Sequence, residues 1–266
     1  MGEEISQQRR GEAFRALHEG SPFVIPNPWD VGTAKVFAAL GFEALATTSA
    51  GYAFTLGRLD GDVTLDEVVE HIRALSTATS LPLSVDLENG YGPAPEDAAR
   101  AILRAAEAGA VGGSIEDYDP DQGMYDIEHA AERIAAAVEA ASRLDFPFML
   151  TARAENYFRG NPDIDDTITR LQAFERAGAD VLYAPRIGAD EVRALCDATS
   201  KPLNVLAGPG LSVAEIIEAG GQRISVGGRL AWVAINAMAA AAEELHDGGD
   251  LSALADPTQI MEWLAA

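Results

Sequence analysis

A single (β/α)8 TIM barrel is what this chain predicts, and three observations carry the prediction. Short apolar runs recur eight times, amphipathic stretches of helical period separate them, and 266 residues is a length that eight such units fill. Four runs are led by proline: SPFVIPNPW from Ser21, LPLSVDLENG from Leu81, FPFMLTARAE from Phe146 and KPLNVLAGP from Lys201. Four follow a glycine: GFEALATTS from Gly41, AGAVGGSIEDY from Ala108, AGADVLYAPRI from Ala177 and GGQRISVGG from Gly220. The two kinds alternate, which suggests a (βα)2 unit repeated four times.

The runs show no clean polar–apolar alternation and are often β-branched, as strands buried on both faces of a parallel sheet should be. The stretches DVGTAKVFAALG, TLDEVVEHIRAL, PEDAARAILRAAEAG, IEHAAERIAAAVEAASRL, DDTITRLQAFERAG and ADEVRALCDA carry apolar residues at helical spacing. Their acids cluster near the starts, where the helix dipole favours negative charge. Gly41, Gly109 and Gly178 fall where a helix would end in a left-handed cap. An open doubly wound sheet is the alternative topology. No linker interrupts the chain, so residues 1–266 read as one barrel domain with a C-terminal helical tail. Leu230 to Leu245, LAWVAINAMAAAAEEL, is apolar nearly all round, which predicts burial in a subunit interface.

A composition of 48% hydrophobic residues with 25 glycines describes a globular protein whose helices pack closely on strands. The net charge of −23 repels polyanions and argues against nucleic acid and membrane partners. A small anionic substrate then needs local arginine or a metal. The one cysteine, Cys196, excludes an intramolecular disulfide and makes the cytoplasm the expected location. No stretch has the length of a membrane span. The start matches the loose myristoylation pattern at Gly2 and Ser6, which is short enough to recur by chance.

Chemistry in this fold sits at the carboxyl ends of the strands. His18, His71, His129 and His246 all fall in helical stretches and read as solvated, which argues against a histidine-bound zinc. Lys35 lies in a helix and Lys201 at the wrong end of a strand, so no Schiff base can form at the mouth. Cys196 reads as packing. What the mouth holds is Asp86 and Glu88 after the third strand, Glu116 and Asp117 after the fourth, and Arg153 and Glu155 after the fifth.

Clustered carboxylates raise one another's pKa unless a cation neutralises them, so Asp86, Glu88 and Glu116 read as a site for Mg²⁺, with Mn²⁺ as the alternative. Arg153, expected opposite the metal, can hold a substrate carboxylate by two parallel hydrogen bonds. The competing reading makes these groups salt bridges on the barrel rim. The long turn TTSAGYAFTLGRLDG offers the backbone N–H groups of Ser49, Ala50 and Gly51 to a carboxylate, and Asp60 returns from it as a further acid. An ordinary connection that needs glycine for its geometry is the rival account of that turn.

NPWDVGTAKVF, ATTSAGYAFTLGRLDG, VDLENGYG, SIEDY and TARAENYF resemble, in order, motifs of the isocitrate lyase and phosphoenolpyruvate mutase superfamily, over about Phe23 to Leu245. The resemblance implies a barrel whose last helix is exchanged between paired subunits, commonly a homotetramer built as a dimer of dimers. It also implies Mg²⁺ and a bound 2-oxo or 2-hydroxy carboxylate. By motif, Asp86 corresponds to the principal metal ligand and Glu88, Glu116 and Asp60 to the acids that hold the metal's waters. Ser49, Ala50 and Gly51 correspond to the carboxylate-binding turn and Arg153 to the substrate arginine. Glu88 stands where aspartate is more frequent. The lyase branch carries a Lys-Cys-Gly-His loop where this chain has YDPDQGMYD, and the phosphonate branch places lysine and asparagine there. Arg186 is a further departure, at a place where a small residue is expected; it would neutralise a second anionic group or pair with a rim acid.

The expected activity is a Mg²⁺-dependent lyase acting on a small 2-oxo or 2-hydroxy carboxylate, by C–C cleavage or decarboxylation through a metal-stabilised enolate. Metal-bound water, Tyr52, Tyr91, Tyr118 and Tyr157 are the candidate proton donors. The alternatives are a phosphonate P–C mutase or hydrolase, with Arg186 or Arg159 in place of the missing lysine, and a non-catalytic 2-oxo acid binding protein.

Overall fold

The eight apolar runs become eight parallel strands. The computed structural model describes residues 5–249, 254 and 257–265, so Gly2 of the acylation pattern and part of the C-terminal tail lie outside the described residues. The first barrel strands are β1 (Phe23–Ile25), β2 (Leu45–Ala46), β3 (Leu83–Asp86) and β4 (Gly112–Glu116). A small hairpin of β5 (Tyr118–Asp119) and β6 (Gly123–Met124) follows, and then β7 (Met149–Arg153), β8 (Val181–Tyr183), β9 (Leu203–Leu206) and β10 (Arg223–Ser225). The barrel strands pair in the order β1-β10-β9-β8-β7-β4-β3-β2, every ladder parallel. The two ends of that order meet: Ala46 N–H donates to Pro26 O at 3.1 Å, and the Asn27 amide donates to Thr47 O at 3.0 Å. These bonds close the ring and dispose of the open doubly wound sheet.

Helix α1 (Gln7–Glu19) precedes the barrel, and α2 (Val31–Ala39), α3 (Ser49–Thr55), α4 (Leu65–Ala78), α5 (Pro95–Glu107), α6 (Ile127–Ser142), α7 (Ile164–Arg176), α8 (Ala189–Ala198), α9 (Val213–Glu218), α10 (Arg229–His246) and α11 (Thr258–Ala265) follow in turn. Asp30, Thr64, Asp126, Asp163 and Ser212 cap helix N-termini through their side chains, each contributing about 1 kcal/mol. Gly41, Gly109 and Gly178 take the expected positive φ, at 84°, 108° and 100°. At Gly109 a Cβ would also stand 2.6 Å from Ser76 Oγ, so space and backbone both require glycine.

Most of the core lies between strands and helices, as in Val85, Ile102, Ile115, Leu150 and Leu182. Each such fully buried side chain contributes about 1.5–3 kcal/mol. A second cluster of Phe14, Phe23, Ile25, Val111, Met149 and Val181 fills the amino-terminal end of the barrel, with Phe14 of α1 as its plug. Helix α1 lies so close that a Cβ at Gly11 would meet Pro147 O at 2.3 Å. The barrel is therefore shut at one end and open only at the carboxyl end.

Two local expectations are corrected. The long turn after β2 contains helix α3, capped by Thr48, rather than an irregular loop. His18 and His71 are buried, not solvated: His18 stands edge-on to Phe14 and Phe23, and His71 stacks on Tyr52 at 3.8 Å. Burial lowers them to about 3 and about 4, so both are neutral. In the single chain, α10 buries only Ala231, while Trp232, Val233, Met238 and Leu245 are exposed. Among the described residues no helix is long and apolar enough to cross a membrane.

Candidate active site

The strand ends converge on a cavity of two lobes that share Ser49, Asp60, Arg153 and Phe158. The first lobe, about 270 Å³, reaches into the barrel and is lined by Asp86, Arg186, Asn204, Arg223 and Arg229 among others. The second, about 350 Å³, lies at the rim and is lined by Glu88, Glu116, Tyr118 and Arg159. The expected site residues thus gather in one place, with one exception. Gly51 lines neither lobe; its N–H donates to Thr48 Oγ1 at 3.3 Å, and a Cβ there would strike the Thr48 methyl at 2.7 Å. The close approach of Thr48 is by itself a reason for glycine at that position.

Arg153 also departs from expectation. It does not face the acids across the site but stands among them. Its Nη1 lies 2.8 Å from Glu116 Oε1 and 4.0 Å from Asp86 Oδ2, and its Nε pairs with the fully buried Glu155. Arg159 completes the network, 3.5 Å from Glu116 Oε2 and 3.3 Å from Glu155 Oε2. Burial opposes the charge of Arg153, yet Glu116 and Glu155 hold its pKa well above the ordinary value. Burial pushes the Glu116 carboxyl up in turn, while the Arg153 guanidinium 2.8 Å away favours its charged form. Glu116 is therefore bridged by arginine and Asp86 has Arg153 at 4.0 Å, while Glu88 and Asp60 form no ion pair among the described residues.

Asp86 Oδ1 accepts from Glu88 N at 3.2 Å and Ser114 Oγ at 3.4 Å, while Ser49 N stands 3.5 Å from Oδ2. Glu88 is half-buried with Oε1 unpartnered, and burial, then Asp86 and Asp60, pushes its pKa up to about 8. Asp60 is exposed at the rim, but its carboxyl faces both lobes. There local burial raises its pKa against a hydrogen bond from Ser49, and Asp86 adds to the rise.

Oxygen donors of this kind suit a hard divalent cation, and an orphaned, reluctantly ionised Glu88 is what a missing counter-charge leaves behind. Among the described residues no three acidic, histidine or cysteine side chains form a ready metal cluster. The fit is to an ion held by one or two carboxylates and by water, as Mg²⁺ is, rather than to a protein cage.

The backbone is strained here and nowhere else outside glycine: among the described residues Glu88, Tyr91 and Arg186 alone have positive φ without being glycine, at 47°, 62° and 65°. Arg133, buried between α6 and the loop after β3, holds the first two in place. It donates to the carbonyls of Asn89, Gly92, Pro93 and Glu116 and lies 4.6 Å over the Tyr125 ring. Nearby, Asp117 accepts from Glu155 N at 2.8 Å and pairs with Arg170 at 3.0 Å, which fixes the end of β4 against β7.

Of the tyrosines considered as acids, only Tyr118 lines a lobe, under Arg159 at 3.7 Å. Tyr52 donates to Glu67 O, away from the cavity. Sequence reading missed Tyr183, Asn204, Arg223 and Ser225 in the barrel interior. Arg223 bonds Asn204 Oδ1 at 2.7 Å and Thr151 Oγ1 at 2.9 Å, and Asn204 bonds Ser225 Oγ at 3.0 Å. Polar residues in the middle of apolar strands were the available signal.

Residues 14–246 match the sequence profile of the family described as phosphoenolpyruvate phosphomutase. The chain is 30% identical over 273 residues to oxaloacetate decarboxylase of Rhodopseudomonas palustris strain BisB18, covering 98% of this chain and 91% of the relative. A solved protein of Burkholderia cenocepacia J2315, provisionally described as a lyase/mutase, superposes with a TM-score of 0.94 at 51% identity, over 98% and 97% of the two chains. A phosphonopyruvate hydrolase in complex with oxalate and Mg²⁺ superposes with a TM-score of 0.84 at 25% identity, over 96% and 95%. The profile match over most of its length shows that this chain belongs to the phosphoenolpyruvate phosphomutase family, within the isocitrate lyase/PEP mutase superfamily.

Proposed function

We propose that the protein is a Mg²⁺-dependent lyase that cleaves a C–C bond of a small 2-oxo or 2-hydroxy carboxylate, by retro-aldol cleavage or decarboxylation. The observation that carries this reading is the convergence of Asp86, Glu88 and Asp60 beside the buried Arg153, with Glu88 and Asp60 in no ion pair among the described residues. Asp86 would hold the ion, with Glu88, Asp60 and Glu116 holding its waters. When bound, the ion supplies Lewis-acid polarisation of the substrate's 2-oxygen. Arg153 Nε and Nη1 are taken up by Glu155 and Glu116, so the guanidinium is fixed before substrate arrives and turns its remaining hydrogens to a carboxylate. Ser49 and Ala50, lining the first lobe at the start of α3, orient the same carboxylate. In a 2-oxo acid, cleavage of the C3–C4 bond leaves the electron pair as an enolate across C2 and C3. In a 2-hydroxy acid, loss of the hydroxyl proton and cleavage of C2–C3 yields a 2-oxo acid and leaves the pair on C3 of the other fragment, where an adjacent carboxylate takes it up.

The lyase reading is favoured over P–C chemistry because no lysine or asparagine stands in the β5–β6 hairpin, where the phosphonate branch carries them. Oxalate, a planar stand-in for the enolate of pyruvate, provides the test. It should raise the melting temperature only when Mg²⁺ is present, and an Asp86→Ala variant should lose that rise. Equal protection without metal would contradict the reading. We further infer that the exposed apolar residues of α10 are covered by a second subunit, in a homodimer or homotetramer, and that the enzyme works in the cytoplasm.

A further inference from the structure

Protonating an enolate needs an acid, and among the described residues no histidine, lysine or cysteine lines either lobe. The carboxyls there, Asp60, Asp86, Glu88 and Glu116, are assigned to the metal's surroundings or paired with arginine. Among the described residues Tyr183 is the one tyrosine lining the first lobe, which also holds Ser49, Ala50 and Asp86.

Register sets its place in the barrel. Glu116 of β4, Arg153 of β7, Tyr183 of β8, Asn204 of β9 and Arg223 of β10 are successive ladder partners, a polar row across five neighbouring strands. Branched apolar residues are what a barrel packed for stability alone places in such a row. Within it the direction of each hydrogen bond is fixed. Arg223 is buried and can only donate, so Asn204 turns its carbonyl oxygen to Arg223 Nε, at 2.7 Å, and its amide hydrogens to Ser225 Oγ, at 3.0 Å. Ser225 is left to donate its own hydrogen, and its hydrogen bond to the Tyr183 oxygen favours the phenolate. The Tyr183 proton is then free to point into the lobe.

Two cations attend the ring. The Arg153 guanidinium lies 5.2 Å from its centroid, and Arg223, which forms no ion pair among the described residues, interacts with it from the other side of the row. Burial nevertheless pushes the hydroxyl up to about 12, so Tyr183 holds its proton at neutral pH, as an acid must before it acts.

We propose that Tyr183 is the general acid of the reaction, delivering the proton that converts the enolate of a 2-oxo acid into product. The inference rests on the lyase reading above. The Tyr183 O–H bond breaks and a C–H bond forms at C3 from the electron pair of the C2–C3 double bond, as the carbonyl at C2 is restored. The phenolate left behind is held by Ser225 and the two arginines until solvent returns its proton.

Hydrogen exchange at C3 of 2-oxobutyrate in D2O, followed by proton NMR, tests the step in reverse, because the phenolate must then remove the proton that the phenol gives. With Mg²⁺ the wild type should exchange one of the two C3 hydrogens and spare the other, since Tyr183 meets the enolate from one face. Enolisation in solution takes both. Tyr183→Phe should slow the exchange by about 100-fold or more, yet keep the Mg²⁺-dependent rise in melting temperature that oxalate gives. Exchange in the variant within a few-fold of wild type overturns the proposal, as does a wild type that responds to oxalate but exchanges neither hydrogen or both alike. A variant that loses the oxalate response as well makes Tyr183 a binding residue and overturns its role as donor. A wild type without any oxalate response contradicts the lyase reading itself and overturns the proposal with it.

Discussion

Arg153 Nη1 lies 2.8 Å from Glu116 and 4.0 Å from Asp86, so one guanidinium nitrogen joins the ends of two neighbouring strands, β4 and β3. The contact to Glu116 is made in register, because the two residues are ladder partners at the end of β7 and β4. Replacing Arg153 by lysine keeps the charge but cannot reach Glu116 and Glu155 together. Turnover should fall by about 100-fold or more, with the fold retained, in steady-state assays paired with circular dichroism. A variant within a few-fold of wild type would remove Arg153 from the substrate grip.

Glu88 links protonation to stability. Its folded pKa, about 8, lies above the ordinary value of 4.5, so between those limits the folded state binds the extra proton. Stability of the metal-free protein should therefore be fullest below about pH 4.5 as far as this group is concerned. It should fall as pH rises towards 8 and be flat above. A Glu88→Gln variant should lose that part of the slope, on the order of a few kcal/mol in urea titrations at pH 5 and pH 8. The same proton competes with metal, so Mg²⁺ should bind more tightly as pH rises to about 8. Identical slopes in the two proteins would show that Glu88 is already ionised.

Arg133 supports the loop that carries Glu88 and Tyr91. An Arg133→Met change removes the donor to four backbone carbonyls and should cost about 3 kcal/mol or more in chemical denaturation. At temperatures where the variant is folded, its Mg²⁺ affinity should fall too. Lost stability with unchanged Mg²⁺ affinity would limit Arg133 to scaffolding.

Val233 is 66% exposed and Met238 62% exposed on the same helix, more apolar surface than a solvated helix presents. A Val233→Asp substitution should lower the mass measured by light scattering from that of a dimer or tetramer towards the monomer. A wild type that is itself monomeric at micromolar concentration would contradict the interface.

The barrel was legible because buried parallel strands and their capped helices leave periodic signals: each expected run became a strand, and Gly41, Gly109 and Gly178 took the backbone they imply. The acids at the strand ends were legible by position. The position of Arg153 among those acids was not, since spacing along a strand says nothing of where a long side chain swings. The burial of His18 and His71 was hidden for a related reason: a lone histidine in an amphipathic stretch reads as polar, and only the aromatic neighbours Phe14, Phe23 and Tyr52, brought together by folding, make it part of the core. Arg223 was missed because a charge inside a strand contradicts the pattern that identifies the strand.

Product analysis by mass spectrometry tests the central claim most directly. The purified protein, with and without Mg²⁺ and beside Asp86→Ala, is incubated with a panel of 2-oxo and 2-hydroxy mono-, di- and tricarboxylates and phosphonopyruvate. The account predicts Mg²⁺-dependent loss of CO2 or release of a 2-oxo acid from a member of the carboxylate panel, absent in the variant. Release of phosphate from phosphonopyruvate with every carboxylate intact would contradict it, and so would turnover that survives in Asp86→Ala.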